Sequence, residues 1–305
     1  MLQKKIFALL LLIIVSLILF TSNFYKNTTV ITPFNRTQVI SLIVGRKNEK
    51  GFNTKLVLSY SIFGKDSARK WGYLIGMVAK EAKESNLYHD WIVRIYHDKA
   101  LSKEYIKNHT SKFDNLKFFD VSKIPLYGDI TSIDGRVWRF FPLADDTVDI
   151  VCVRDLDSPI LKREEDAVRE WLTSGHIMHV MRDHVQHGTV ILGGMWGFLN
   201  AMNRGLGRKI VDRVLHNAAK RTGSAEAAKS SDQTVLARHV WPLVKLDTLQ
   251  HDAYLCKNYE GSVPFPTKRS DDFTFVGCVR PCIVNKGTPC DVKCRPKNHT
   301  DWTFC

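Results

Sequence analysis

DIVCVRDLDSP, residues 149–159, is an apolar run, Ile150 to Val153, that ends in an arginine, two aspartates one residue apart, and Ser-Pro. An apolar run without alternation suits a strand buried on both faces, as in a parallel sheet covered by helices. Asp155 and Asp157 then stand at the carboxyl end of that strand. In open α/β sheets, ligands bind just beyond the carboxyl ends of the strands. Two neighbouring carboxylates repel unless a cation or a proton lies between them. A divalent ion with oxygen ligands relieves the repulsion and also holds a diphosphate. A solvated turn is the plainer reading of the same pair.

The flanking sequence supplies the rest of such a sheet. KLVLSYSIFG (Lys55–Gly64) reads as a first strand closed by glycine, WIVRIYHD (Trp91–Asp98) as a second and LKFFDV (Leu116–Val121) as a third. VDIVCV (Val148–Val153) is the fourth. Helical patterns fall between the first three, at Trp71–Ser85 and Leu101–His109, and RVWRFFPLADD (Arg136–Asp146) suits a helix or turn. REEDAVREWLTSG (Arg163–Gly175) is amphipathic, with Val168, Trp171 and Leu172 on one side and glycine at its end. HIMHVMRDH (His176–His184) has strand composition, and Leu206–Lys220 and Ser231–Trp241 read as helices. Strands alternating with helices predict an α/β fold with a mainly parallel sheet.

The ends of the chain place it in a compartment. No charge occurs between Lys5 and Lys26, and twenty uncharged residues in a helix span about 30 Å, the thickness of a bilayer core. Lys4 and Lys5 ahead of the run favour a cytoplasmic N-terminus. A cleaved signal peptide is the rival, but LFTSNFYKN offers no convincing small-residue cleavage site. The organisation expected is a cytoplasmic stub (1–5), a transmembrane signal-anchor (6–25), a lumenal stem (26–53), a catalytic domain (54–255) and a cysteine-rich C-terminal segment (256–305). Asn27, Asn35, Asn108 and Asn298 each begin an Asn-X-Ser/Thr sequon. Six of the seven cysteines, Cys256, Cys278, Cys282, Cys290, Cys294 and Cys305, crowd the last fifty or so residues. In an oxidising lumen these read as disulfides; zinc is the other reading of Cys278-x3-Cys282 and Cys290-x3-Cys294. Cys152, alone in the apolar run, reads as a buried free thiol. The formal net charge of +13 suits an anionic partner. The basic residues are scattered, with no dense Lys/Arg tract and no zinc-finger signature, which argues against nucleic acid.

An anchor, a stem, a DxD after a central strand and a cysteine-bearing tail resemble lumenal glycosyltransferases of the GT-A fold, which use nucleotide-sugars. Four stretches are similar to a family of glycosyltransferase-like proteins: SYSIFG (Ser59–Gly64), WIVRIYHD, WRFFPLADDTVDIVCVRDLDS (Trp138–Ser158) and Arg163–Gly197. Together they cover roughly residues 55–200. The resemblance implies a GT-A-like, Rossmann-like α/β domain in the Golgi or endoplasmic reticulum, acting on a glycan or glycoprotein acceptor. It implies Mn²⁺ or Mg²⁺ and the donor diphosphate at Asp155 and Asp157, and the loop from Ser59 to Gly64 near the nucleotide. Haloacid-dehalogenase-type phosphotransferases also carry D-x-D after a strand, but have Thr or Val where Pro159 stands here. A non-catalytic glycan- or partner-binding protein is the remaining alternative.

Further candidates have a functional and a plain reading each. Arg154 touches phosphate or pairs with an aspartate. Arg182 and Asp183, beside His184 and His187, contact donor groups or form a structural ion pair. In Gly193-Gly194-Met195-Trp196-Gly197, the glycines allow close backbone approach and the indole stacks on a sugar, or the segment is a turn around a core tryptophan. Asp232 is a catalytic base for the attacking hydroxyl or a helix cap. In GT-A enzymes a C-terminal histidine often completes the metal site, and His251 is the candidate here, although a lone histidine is commonly structural. Lys268 and Arg269 read as surface charge or as phosphate contacts.

Overall fold

The computed structural model describes residues 55–218 and 232–305. The apolar run at 6–25, the stem, and the Asn27 and Asn35 sequons lie outside the described residues. Among the described residues no helix is long and apolar enough to cross a membrane.

The core is a mainly parallel sheet of eight strands. In chain order they are β1 (Leu56–Ile62), β2 (Ile92–His97), β3 (Leu116–Asp120), β4 (Ile150–Arg154), β5 (Met178–Arg182), β6 (Met195–Phe198), β7 (Thr248–Asp252) and the short β8 (Ser262–Val263). Their order across the sheet is β3-β2-β1-β4-β6-β5-β7-β8. β6 runs antiparallel to both β4 and β5, and every other pairing is parallel. β4 is buried throughout, which is why its sequence lacks alternation. The chain winds outward from β1 to β3 and then resumes on the other side of β1 at β4. That reversal opens a crevice at the carboxyl ends of β1 and β4, where Asp155 and Asp157 begin the next loop.

Helices connect the strands: α1 (Lys65–Trp71), α2 (Leu74–Glu84), α3 (Lys103–Lys112), α4 (Lys162–Ser174), α5 (Arg204–Asn217), α6 (Asp232–Val235) and α7 (Trp241–Val244). The helix expected over Trp71–Ser85 is α2, and α1 ahead of it was not anticipated. Gly175 adopts the left-handed conformation that ends α4. Between α6 and α7, Leu236–Val240 widens into a π-turn. Pro242 follows at the start of α7; it has no N–H for the ordinary helical ladder. Arg136–Asp146, expected as helix or turn, contains the 3-10 helix Gly135–Ala144, with nearly all of its side chains buried.

Three strands, β6, β7 and the two-residue β8, have no counterpart in the sequence reading. β6 was hidden in a glycine-rich stretch, and β7 in the lead-in to the cysteines. The short apolar β6 carries Gly197, where a Cβ would stand 2.7 Å from the Trp171 ring of α4. That helix lies too close for any larger residue. The cysteines form Cys256–Cys294, Cys278–Cys282 and Cys290–Cys305, and Cys152 is the buried free thiol. All six tail thiols are thereby used, which removes the zinc alternative. The tail is packed into the domain: Cys290, Cys305, Phe265 and Val276 join Met181, Met195 and Ala167 in one apolar cluster.

Candidate functional site

The site is organised around an arginine. Arg139 is the one charge in the apolar run Val137–Ala144, and Trp138, Phe140 and Leu143 anchor that helix in the core. A buried cation must be paired. Arg139 Nη1 donates to the Arg154 carbonyl at 3.0 Å and to Asp155 Oδ1, and Nη2 donates to Asp232 Oδ2 at 2.7 Å. One guanidinium thus links the end of β4 to the start of α6. Ser59 Oγ donates to the Arg139 carbonyl at 2.6 Å from beneath.

These residues border an open cleft of about 410 Å³ at the crevice of the sheet. Asp155, Asp157, Gly193 and Asp232 line it, with Arg139, Arg136 and Gln233 beside them and Phe63 and Trp71 from the β1 side. A Cβ on Gly193 would lie 2.0 Å from Asp232 Oδ2, and one on Gly194 would lie 2.2 Å from Asp155 Oδ2. Only glycine lets the backbone pass so close to both carboxylates. Asp155 keeps 43% of its side chain exposed, whereas Asp232 keeps 6%. Burial, and then the charge of Asp155, hold the Asp157 carboxyl above the usual carboxylate range.

Asp155 and Asp157 supply the oxygen donors that a hard divalent ion takes, and both line the same cleft. Among the described residues no third His, Cys, Asp or Glu joins them as a ligand group. The pair therefore fits an ion that takes its remaining ligands from phosphate oxygens and water, as Mg²⁺ commonly does.

Other expected site residues face elsewhere. His251 is fully buried on β7, with Nδ1 2.7 Å from His179 Nε2 and Nε2 3.2 Å from Glu170 Oε2. It is committed to that chain and does not join the aspartates. Arg154 is buried against Glu164 at 2.6 Å and donates to the Val153 and Trp196 carbonyls, so it braces the sheet. Arg182 pairs with Asp252 at 2.5 Å beneath the Tyr259 ring. Asp183 accepts from Arg163, from Arg269 and from the Val276 N–H, latching the tail to β5. Arg269 is spent there too, whereas Lys268 lies exposed. Trp196 is wholly buried, edge-on to Phe140, with Nε1 donating to the Gly193 carbonyl at 3.2 Å. Its indole is core and offers no face to a sugar. Ser59 is equally buried. Gly64 has φ 77° and its N–H donates to Asp98 at 3.1 Å, which shapes the loop beside the cleft. His187 Nδ1 accepts the Asp183 N–H at 3.0 Å, and burial pushes its pKa down to about 4.

The sequence reading missed Arg139, Arg136, Trp71 and Gln233, whereas Phe63 belongs to the Ser59–Gly64 loop expected near the nucleotide. A lone arginine inside an apolar segment was the available signal for the first. Trp71 had no signal, because its facing depends on how α1 turns away from β1.

No protein-family model matches the chain, and no curated protein is similar to it in sequence. Several solved structures are similar to part of the chain. The apo glycosyltransferase GlyE of Streptococcus pneumoniae TIGR4 is 13% identical over 65% of this chain, with a TM-score of 0.41. This chain spans 45% of the length of that protein. The galactosyltransferase LgtC, solved with donor and acceptor sugar analogues, is 13% identical over 64% of this chain and 73% of its own, at 0.39. A glucose-1-phosphate thymidylyltransferase from Bacillus anthracis is 8% identical over 65% and 86%, at 0.41. At such TM-scores the likeness carries no argument about chemistry, which has to come from the cleft.

Proposed function

We propose that the cleft binds a nucleotide-sugar together with a divalent ion and transfers the sugar to a hydroxyl of a glycan or glycoprotein. The observation that supports this best is the convergence of Asp155, Asp157, Gly193 and Asp232 on one cleft at the carboxyl end of parallel strands. Asp155 and Asp157 would hold Mn²⁺ or Mg²⁺, which when bound stabilises charge on a leaving diphosphate. Arg139 and Arg136 stand on the same wall, but Arg139 is paired with Asp155 and Asp232 and Arg136 with Asp134, so most of the positive charge facing a diphosphate would come from the bound ion. Phe63 and Trp71 offer ring surface at the β1 end, suited to a nucleobase.

Asp232 suits a role different from the free base first considered. Its Oδ2 accepts from Arg139 and its Oδ1 accepts the Gln233 N–H at 3.0 Å. A carboxylate engaged at both oxygens is a poor proton acceptor and a good fixed acceptor for a sugar hydroxyl. We therefore assign it to holding the transferred sugar, with the Gly193 backbone alongside.

We also place the domain in the lumen of the secretory pathway. Three disulfides support this, as does the exposure of Asn108 and Asn298. A mass shift on glycosidase treatment of the secreted domain tests it. The decisive experiment for the activity is a binding screen of residues 55–305 against nucleotide-sugars with and without Mn²⁺. Metal-dependent binding of one donor, lost in Asp155→Ala, is the expected result. Binding to none leaves a glycan-binding protein without catalysis, and phosphate release from a phosphoester without any sugar donor points to a phosphotransferase.

A further inference from the structure

The turn that carries Asp157 is held from outside the sheet by the cysteine-rich tail. The Arg280 N–H donates to the Asp157 carbonyl at 2.9 Å. Arg280 Nη2 donates to Glu81 Oε2 of α2 at 2.6 Å and reaches the Ser158 carbonyl at 3.4 Å. The same Glu81 oxygen accepts the Ile160 N–H at 3.3 Å. The Arg280 backbone therefore holds Asp157, and the Arg280–Glu81 side-chain pair, 14% and 26% exposed, holds the adjoining Ser158 and Ile160. Arg280 sits between Cys278 and Cys282, which are bonded to each other four residues apart. Closing so short a loop removes little chain entropy, so that bond contributes local shape around Arg280. The base of the loop is seated as well: a Cβ on Gly277 would stand 2.3 Å from Met195 Sδ of β6.

We infer that Arg280 is a positioning residue for Asp157: held in the Cys278–Cys282 loop, it fixes the turn that presents the Asp157 carboxylate to the cleft. The inference rests on the divalent-ion reading of Asp155 and Asp157. Asp155 has its own brace in Arg139. Arg280 is the matching brace on the far side of the pair, supplied by a segment distant in sequence. Groups that orient a metal ligand from behind commonly set its affinity by one to two orders of magnitude.

The test uses Mn²⁺ alone as probe, with the free ion followed by electron paramagnetic resonance, and amide exchange at residues 157–161 in metal-free protein. Arg280→Gln is expected to weaken Mn²⁺ binding about tenfold and to speed exchange at Ile160. Arg280→Lys keeps a cation opposite Glu81 and recovers most of the affinity. Arg295→Gln, which touches only the Thr300 and Cys290 carbonyls of the tail, leaves both readouts unchanged. Should Arg280→Gln not fold, Glu81→Ala removes the partner from α2 and carries the same expectation. Native Mn²⁺ affinity in Arg280→Gln or in Glu81→Ala overturns the inference and leaves the divalent-ion reading standing. An equal loss in Arg295→Gln also overturns it, by showing a general effect of the tail. No Mn²⁺ binding by the native protein overturns both.

Discussion

Arg139 is the residue on which the cleft depends. Replacing it by glutamine strands the buried Asp232 carboxylate and frees Asp155. Breaking a buried pair on one side costs about 3–5 kcal/mol, so Arg139→Gln should lower the denaturation midpoint strongly; a midpoint unchanged from the native value refutes the bridge. Gly193→Ala sets a methyl group against Asp232 and should cost about 1–3 kcal/mol while abolishing donor binding, read by calorimetry with denaturation alongside. Four of the residues singled out in sequence line this cleft: Asp155, Asp157, Gly193 and Asp232. They were legible because each breaks a pattern at a strand or helix end, where a side chain has little choice of direction. Arg154, Arg182, Asp183 and His251 break patterns equally and at comparable places, within the last two residues of a strand or just past it, as Asp155 is. Residue type alone does not separate a ligand contact from a buried ion pair there, because both place polar groups among apolar ones. What decided it was the partner, and Glu164, Asp252, Arg269 and Glu170 lie 10 to 86 residues away along the chain.

At the scale of elements, β5 and β7 carry a buried histidine chain. His179 and His251 are both held below the ordinary histidine range, mainly by burial, and His187 beyond β5 is pushed to about 4. A histidine with a folded pKa below its unfolded value binds fewer protons folded than unfolded. Its contribution to stability is full above about pH 6.5 and is lost as the pH falls through that value. For His187 the loss is complete near pH 4. The denaturation midpoint should therefore fall steadily between those limits, and a flat profile from pH 7 to 4.5 contradicts the burial of these rings as neutral groups. The parallel half of the sheet was readable because β1, β2 and β4 are rich in β-branched, aliphatic and aromatic residues and each is separated from the next by turn signals or helical patterns. β6 was not, because Met-Trp-Gly-Phe is four residues long and takes its conformation from the edges of β4 and β5 on either side.

Across the whole molecule, the tail stabilises by cross-linking and by packing on the sheet. Cys256–Cys294 closes a loop of 38 residues and Cys290–Cys305 one of 15. Losing either should cost about 2–5 kcal/mol, seen as a lower melting temperature in reductant; melting indifferent to reductant contradicts this. The crowding of six cysteines made cross-linking legible, whereas their pairing needed the packed tail. The long-range origin of the cleft also sets when it can exist. Arg139 meets Asp232 across 93 residues, and Arg280 meets Ser158 across 122. A ribosome adding about 5–20 residues per second delivers that second interval in roughly 6–25 s. During it, β1 to β4 and Arg139 are already present, while the turn that carries Asp157 lacks its brace in Arg280. Nascent chains should gain protease resistance before they gain any capacity to retain nucleotide, so ligand capture reports the arrival of the cysteine-rich segment.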